Sequence, residues 1–288
     1  MYKRQLQNDG TFLSPEKCEE LFKAVDQNIS VENSESLGLV LDYSTANKEH
    51  IHKVLSAKCI DVESVIQKKF TVVIDAVNGA GSYILPTLCE QLGCKVITMN
   101  CNGDGNFTRI PEPLAENLQS LEKKVLEVGA DIGFATDPDG DRLSIVSNNG
   151  TAIGEEYSLV LALKNFMNFQ SSMVVTNLST SMMLNSIANK TIRTKIGEAH
   201  VVQKMNELNI SIGGEGNGGV ILKEAHLGRD SLVAISMILS LLSTSGKSIT
   251  EEIAEIPKYL MIKDKIRIDK DIDFDNLETI FDCDEINK

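Results

Sequence analysis

Three carboxylates at alternating positions, Asp137, Asp139 and Asp141, sit in the run Asp-Pro-Asp-Gly-Asp-Arg between two apolar stretches, 130–135 and 143–146. Alternation places all three on one face of an extended segment, and Pro138 and Gly140 let the backbone bend so that their oxygens converge. Anions held that close repel one another. A hard divalent cation with oxygen ligands relieves the repulsion, and Mg²⁺ favours a site with few carboxylates, some waters and a phosphate oxygen from a substrate. Two other acidic patterns fail. An EF-hand loop needs Gly at its sixth position and Glu at its twelfth, where this chain has Arg142 and Asn148. An aspartyl nucleophile of the haloacid dehalogenase type needs Asp-x-Asp-x-Thr or Val, and Asp141 occupies the discriminating place.

A second group lies in the glycine-rich run 213–219, which holds Glu215 and Asn217. Glu215 accepts hydrogen bonds while Asn217 both donates and accepts, a combination suited to sugar hydroxyls; the alternative is a mobile hairpin loop with incidental polar residues. Arg229-Asp230 precedes the most apolar helical stretch, Ser231 to Leu242, whose first amides could favour a phosphate. Arg109, in an irregular segment with Pro111 and Pro113, is either a phosphate ligand or a structural arginine. Gly79 and Gly81 follow a strand as Gly-x-Gly, but Ile84 stands where a dinucleotide fingerprint needs its third glycine. Two glycines easing a tight turn explain that pair as well.

The elements that must position these groups alternate between strand and helix. Ser14 caps and Pro15 opens a helix from Glu16 to about Val25, after a turn at 8–10. A polar linker at 28–36 leads to helical spacing over 42–55 and 62–67. The β-branched run Thr71 to Asp75 reads as a buried parallel strand, followed by a helix over 83–92 and a strand over 94–99. A helix near 118–126 and the strand at 130–135 deliver the acidic run. After the turn at 148–150 the pattern restarts: helix 155–166, strand 172–178, a capped helix over 179–188, strand 192–196, helix 199–208 and strand 210–213. A final strand is expected over 265–268. The fold class is therefore α/β, with two consecutive three-layer α/β/α mixed-sheet domains and partial flanking domains: 1–37, 38–150, 151–262 and 263–288.

Composition narrows the partners. With 41 acidic against 28 basic residues, the net charge of -13 opposes non-specific binding to nucleic acid or an anionic membrane. A phosphorylated substrate then needs a local cationic pocket. The six cysteines form no Cys-x-x-Cys pair and no zinc spacing, which points to reduced thiols and a cytoplasmic setting. The longest apolar run, 232–242, is too short to cross a bilayer, and Met1 leads into polar residues, with no apolar signal segment.

Taken together, these residues resemble the α-D-phosphohexomutases, the family of phosphoglucomutase, phosphomannomutase and phosphoglucosamine mutase. Residues 137–142 are similar to its Mg²⁺ loop, Thr194-Lys-Ile-Gly197 to its third-domain catalytic stretch, and Gly214-Glu-Gly-Asn-Gly-Gly219 to its sugar-specificity loop. Asp75 to Gly81 and Pro111-Glu-Pro113 resemble second-domain segments. The resemblance implies a four-domain enzyme in which a phosphoserine donates to hexose 1- or 6-phosphate. It implies Mg²⁺ on Asp137, Asp139 and Asp141, catalytic roles for Arg142 and Lys195, and substrate contacts from Thr194, Gly197, Glu215, Asn217 and Arg229. Lys195 could equally be a solvated surface lysine.

The family's Thr-Ala-Ser-His-Asn-Pro and Arg-Pro-Ser-Gly-Thr motifs are both absent, so the expectation is the end of domain one, domains two and three, and the first strand of domain four, inactive by itself. The rival expectation is a non-catalytic protein that binds sugar phosphate or a partner. Asn217 and Gly219 stand where many members have serine and histidine, which tilts the expected substrate toward an amino sugar or mannose.

Overall fold

The computed structural model describes residues 6–8, 10–27, 39 and 41–259. Met1–Pro257 form one compact unit, and beyond it only Lys258 and Tyr259 are described. The expected linker at 28–36 and strand at 265–268 lie outside the described residues, as does the whole of the expected domain at 263–288.

Helix α1 (Pro15–Asp26) starts as expected, with the Ser14 side chain accepting from the Lys17 amide. The first α/β module follows: α2 (Ala46–Leu55), α3 (Val62–Lys68), β1 (Thr71–Asp75), α4 (Gly81–Gln91), β2 (Lys95–Met99), α5 (Gln119–Val128), β3 (Ile132–Thr136) and β4 (Leu143–Ser147). Its sheet runs β2-β1-β3-β4, with β1 parallel to both β2 and β3, and β4 antiparallel to β3. The second module contains α6 (Glu156–Phe169), β5 (Met173–Asn177), β6 (Lys190–Thr194), α7 (Glu198–Glu207), β7 (Ile212–Glu215), β8 (Gly219–Leu222), α8 (Ser231–Ser245) and α9 (Ile249–Ala254). Its sheet runs β6-β5-β7-β8, again with only the last strand antiparallel. Two modules without a recognisable repeat in sequence thus share one topology.

The layers follow from the two-residue period of the strands. Val73, Ala135 and Val146 face α5 through Leu121 and Val125, while Val72, Ile74, Phe134 and Ile145 face the opposite way. In the second sheet Val175 and Ile221 face α7 through Val201 and Met205, and Val174, Val220 and Leu222 point to the other side. Helices α6 and α8 fill the space between the sheets, each packing on both β4 and β8. That position explains why α8 is apolar on every side: residues 231–242 are all buried.

Several expectations are corrected. Residues 179–188 do not form an α-helix; a short 3₁₀ turn spans Met182–Ser186, capped by Ser181. Local polar side chains take up the backbone donors there. Asn177 Oδ1 accepts from the Ser179 amide at 3.0 Å, and Glu156 accepts from the Ser181 amide at 3.0 Å. Strand β8 and helix α9 were not anticipated. The helix at 42–55 begins only at Ala46.

Candidate functional site

The acidic run forms the hairpin loop between β3 and β4. Its carboxylates converge through a turn, not along an extended face: the Gly140 amide donates to the Asp137 carbonyl at 3.2 Å, and Gly140 adopts φ +73°. One oxygen each from Asp137, Asp139 and Asp141 lies within 4.8 Å of the others, with Asp137 and Asp141 buried and Asp139 exposed. Burial, then the charges of Asp141 and Asp139, push the Asp137 carboxyl up to about 8. That upward shift reflects carboxylates crowded in a buried place, and three hard oxygen donors in that arrangement fit a divalent cation.

Both modules grip this loop. From the first, the Ala80 amide donates to the Pro138 carbonyl at 2.8 Å, and Gly79 sits so close that a Cβ would lie 2.4 Å from that oxygen. From the second, the Ser231 hydroxyl at the start of α8 donates to the Gly140 carbonyl at 2.6 Å, and the Leu143 amide donates to the Gly218 carbonyl at 3.0 Å. Arg109 is structural: it pairs with Asp75 at 3.1 Å and donates to the Thr136 carbonyl at 2.7 Å, tying β1 to β3.

Across the loop stands Arg229, buried among three carboxylates. Its guanidinium reaches Asp141 at 2.5 Å, Glu215 at 2.6 Å and Glu198 at 3.1 Å, the last as an ion pair not aligned for a hydrogen bond. Burial raises the Glu198 carboxyl against the opposing pull of Arg229. Burial also works to lower the Arg229 pKa, but Asp141, Glu198 and Glu215 outweigh it and hold the guanidinium above its usual value. Asp141 and Glu215, read from sequence as two separate motifs, are thereby joined by one cation. Glu215 ends β7; its Oε1 accepts from Asn177 Nδ2 at 2.6 Å and the Gly197 amide at 3.3 Å while Oε2 takes Arg229, so both oxygens already have protein donors.

The remaining expected residues sit at the rim. Arg142 leans on Asp137 and Asp141 at 3.7 and 3.8 Å. Asn217 is half-buried at the tip of the β7–β8 hairpin and accepts from the Gly219 amide at 3.3 Å. The Thr194 hydroxyl donates to the Thr176 and Lys195 carbonyls, Lys195 is exposed, and Gly197 caps α7 with φ +124°. Reasoning from sequence missed Glu198 and Asn177. Glu198 had one readable signal, a carboxylate directly after the helix-capping Gly197; Asn177 had none.

A cavity of about 300 Å³ opens beside the acidic loop, lined by Asp139, Gly140, Asp141, His50, His226 and Arg229 among others. A larger one, about 750 Å³, lies away from these groups against Cys59, Asn165 and Ser240. Among the described residues no helix is long and apolar enough to cross a membrane.

Comparison with known proteins gives two family matches: phosphoglucomutase/phosphomannomutase alpha/beta/alpha domain II over residues 48–150, and domain III over 154–259. A phosphoglucomutase/phosphomannomutase of Thermococcus kodakarensis is 39% identical over 74% of this chain and 48% of its own length. A protein of Methanopyrus kandleri described as "Probable phosphoglucosamine mutase" is 30% identical over 90% of this chain and 58% of its own. The chain therefore spans about half the length of the curated relatives it matches. Among solved structures, a phosphoglucomutase/phosphomannomutase family protein from Burkholderia thailandensis superposes with TM-score 0.73 at 23% identity, covering 86% of this chain and 54% of that one. An Aspergillus fumigatus N-acetylphosphoglucosamine mutase, solved with GlcNAc-6P and magnesium, gives TM-score 0.53 at 14% identity, covering 73% and 54%.

Proposed function

Because the chain belongs to the phosphoglucomutase/phosphomannomutase family, we propose that it carries the metal and sugar modules of a Mg²⁺-dependent phosphohexomutase acting on glucosamine or mannose phosphate. The observation behind this reading is the continuous chain Asp141–Arg229–Glu215, which couples the acidic loop to the sugar loop across the module boundary. Residues 38–150 serve as the metal module and 151–262 as the sugar module.

Mg²⁺ held by Asp137, Asp139 and Asp141 would supply positive charge where a transferring phosphoryl group spreads its negative charge. Arg142, beside the same carboxylates, adds a second cation at that end. Glu215 has three protein donors on about four acceptor directions, which leaves room for one sugar hydroxyl. Asn217, at the hairpin tip, offers a second contact. Thr194, Lys195 and Gly197 flank the sugar loop, with exposed Lys195 placed for a substrate phosphate or a proton transfer. Arg229 acts by positioning Asp141 and Glu215.

Magnesium titration of the parent and of Asp139→Ala tests the metal reading. A saturable heat that disappears in the variant supports it, and equal heats in both would sink it. GlcNAc-6P, named for the Aspergillus relative, and glucosamine 6-phosphate are the first sugars to titrate into the Mg²⁺-loaded chain.

A further inference from the structure

His50, on α2 of the first module, and His226, in the second, aim their Nε2 atoms at a single oxygen, Oδ2 of Asp230. The distances are 2.8 and 3.1 Å, and all three donor atoms lie within 4.8 Å of one another. Asp230 is buried and its other oxygen caps α8 by accepting from the Leu232 amide at 2.7 Å, so the carboxylate is fixed in place. The two imidazoles are about one-third exposed and line the 300 Å³ cavity.

Two His nitrogens and one carboxylate oxygen at the edge of a cavity form a recognisable ligand set for a transition ion. With metal–ligand bonds near 2.1 Å, neighbouring ligands on one face of an ion stand roughly 3.0–3.4 Å apart. Two edges of this triangle already measure 2.8 and 3.1 Å. The third closes by turning two rings that stand edge to face, 5.3 Å apart at their centres. The surrounding charge favours a cation: Asp139 lines the same cavity, and the guanidinium there, that of Arg229, faces three carboxylates, Asp141, Glu198 and Glu215. Lys53, one turn along α2, opposes weakly.

We propose that His50, His226 and Asp230 form a second cation site, distinct from the acidic loop and selective for a borderline divalent transition ion of the zinc class. Imidazole discriminates against Mg²⁺, which demands oxygen ligands. In the bound state each imidazole carries its proton on Nδ1 and leaves Nε2 to the ion; the hydrogen bond to Asp230 raises the His50 pKa, so the proton of any imidazolium there passes to solvent as the ion binds. An ion here joins α2 of the first module to the start of α8 in the second, one residue from the Ser231 hydroxyl that holds Gly140. It would therefore staple the modules beside the acidic loop and raise stability by mass action.

Cobalt(II) titration of the untagged 288-residue chain, with Mg²⁺ saturating the acidic loop, reads this site by its ligand-field bands. The expected result is one equivalent bound, free of sulfur-to-metal charge transfer, displaced by Zn²⁺ and accompanied by a rise in melting temperature. His50→Gln and His226→Gln should each weaken binding tenfold or more, whereas Asp139→Ala leaves it in place. Undiminished cobalt binding in both histidine variants, a thiolate charge-transfer band, or loss of binding in Asp139→Ala alone would overturn the assignment. The magnesium heats of these variants, read separately, report on the acidic loop.

Discussion

Replacing Arg229 by Met leaves a side chain of similar reach with no charge, facing Asp141, Glu215 and Glu198, which are 8%, 3% and 8% exposed. Removing one partner of a buried ion network costs about 3–5 kcal/mol, because the remaining charge is left without compensation. Here three carboxylates lose their common cation, so the upper half of that range is expected at pH 8. The orphaned acids escape part of the penalty by taking up protons. Their folded pKa values then lie above the unfolded ones, so the variant's deficit grows as pH rises and shrinks as it falls toward 5. For a unit of this size the deficit corresponds to a melting shift of roughly 8–20 °C. The chain has no Trp, so denaturant unfolding followed by far-ultraviolet circular dichroism is the suitable assay. Arg229→Lys should recover less than half, since one ammonium cannot span three carboxylates as a planar guanidinium does. If Arg229→Met unfolds within about 0.5 kcal/mol of the parent at pH 8, the network provides no net stability and the reasoning fails.

Two further outcomes follow from the loop's electrostatics and one from the motif inventory. Asp137, raised to about 8, binds its proton more tightly in the folded chain than in the unfolded one. Metal-free stability should thus fall as pH climbs from about 4 to about 8, and saturating Mg²⁺ should flatten that slope; a slope unchanged by metal contradicts the cluster reading. Mg²⁺ binding at pH 7 should release close to one proton, seen as heats that change with the ionisation enthalpy of the buffer; buffer-independent heats would argue against it. The 288 residues contain no Thr-Ala-Ser-His-Asn-Pro, so the purified chain should bind a hexose phosphate without turning it over, and a coupled assay showing turnover would place the phosphoryl carrier elsewhere in the chain.

How much of this was legible depended on whether the signal was local. Strand β1 was read to its residue limits, because Thr71 to Asp75 carries an uninterrupted β-branched run that only a doubly covered strand needs. The acidic loop was legible because its three carboxylates are two residues apart. Glu215 and Asp141 were both singled out, yet their connection through Arg229 was not, since it spans 88 and 14 residues and depends on how two modules pack. Residues 179–188 misled because Ser, Thr and Asn have similar standing as helix caps and as turn formers, and here Asn177 and Ser181 bind the local backbone. The glycines before strand β8 mask its period, whereas α9 carries a local signal in its capping box, Ser248 with Glu251.

The shared topology gives the two loops a common origin in space. In each sheet the third strand and the antiparallel fourth are joined by a hairpin, and those two hairpins are the acidic loop at 137–142 and the glycine turn at 216–218. Each emerges at the carboxyl end of a parallel strand, where open α/β sheets bind ligands. They meet at one point, the Leu143 amide donating to the Gly218 carbonyl. Glycine is required at 218 for two separable reasons: φ is +90°, and a Cβ would lie 2.3 Å from the Leu143 carbonyl oxygen. Gly154 has nearly the same φ, +92°, with nothing within 4 Å of its would-be Cβ. Gly154→Ala should therefore incur only backbone strain, about 1–2 kcal/mol, whereas Gly218→Ala adds a clash with main chain that neither loop can relieve alone. The second variant should lose at least twice the stability of the first, together with Mg²⁺ affinity, although residue 218 is no ligand. Equal costs for the two substitutions would mean that the loops are not mechanically joined, and that Asp141 and Glu215 take their positions independently.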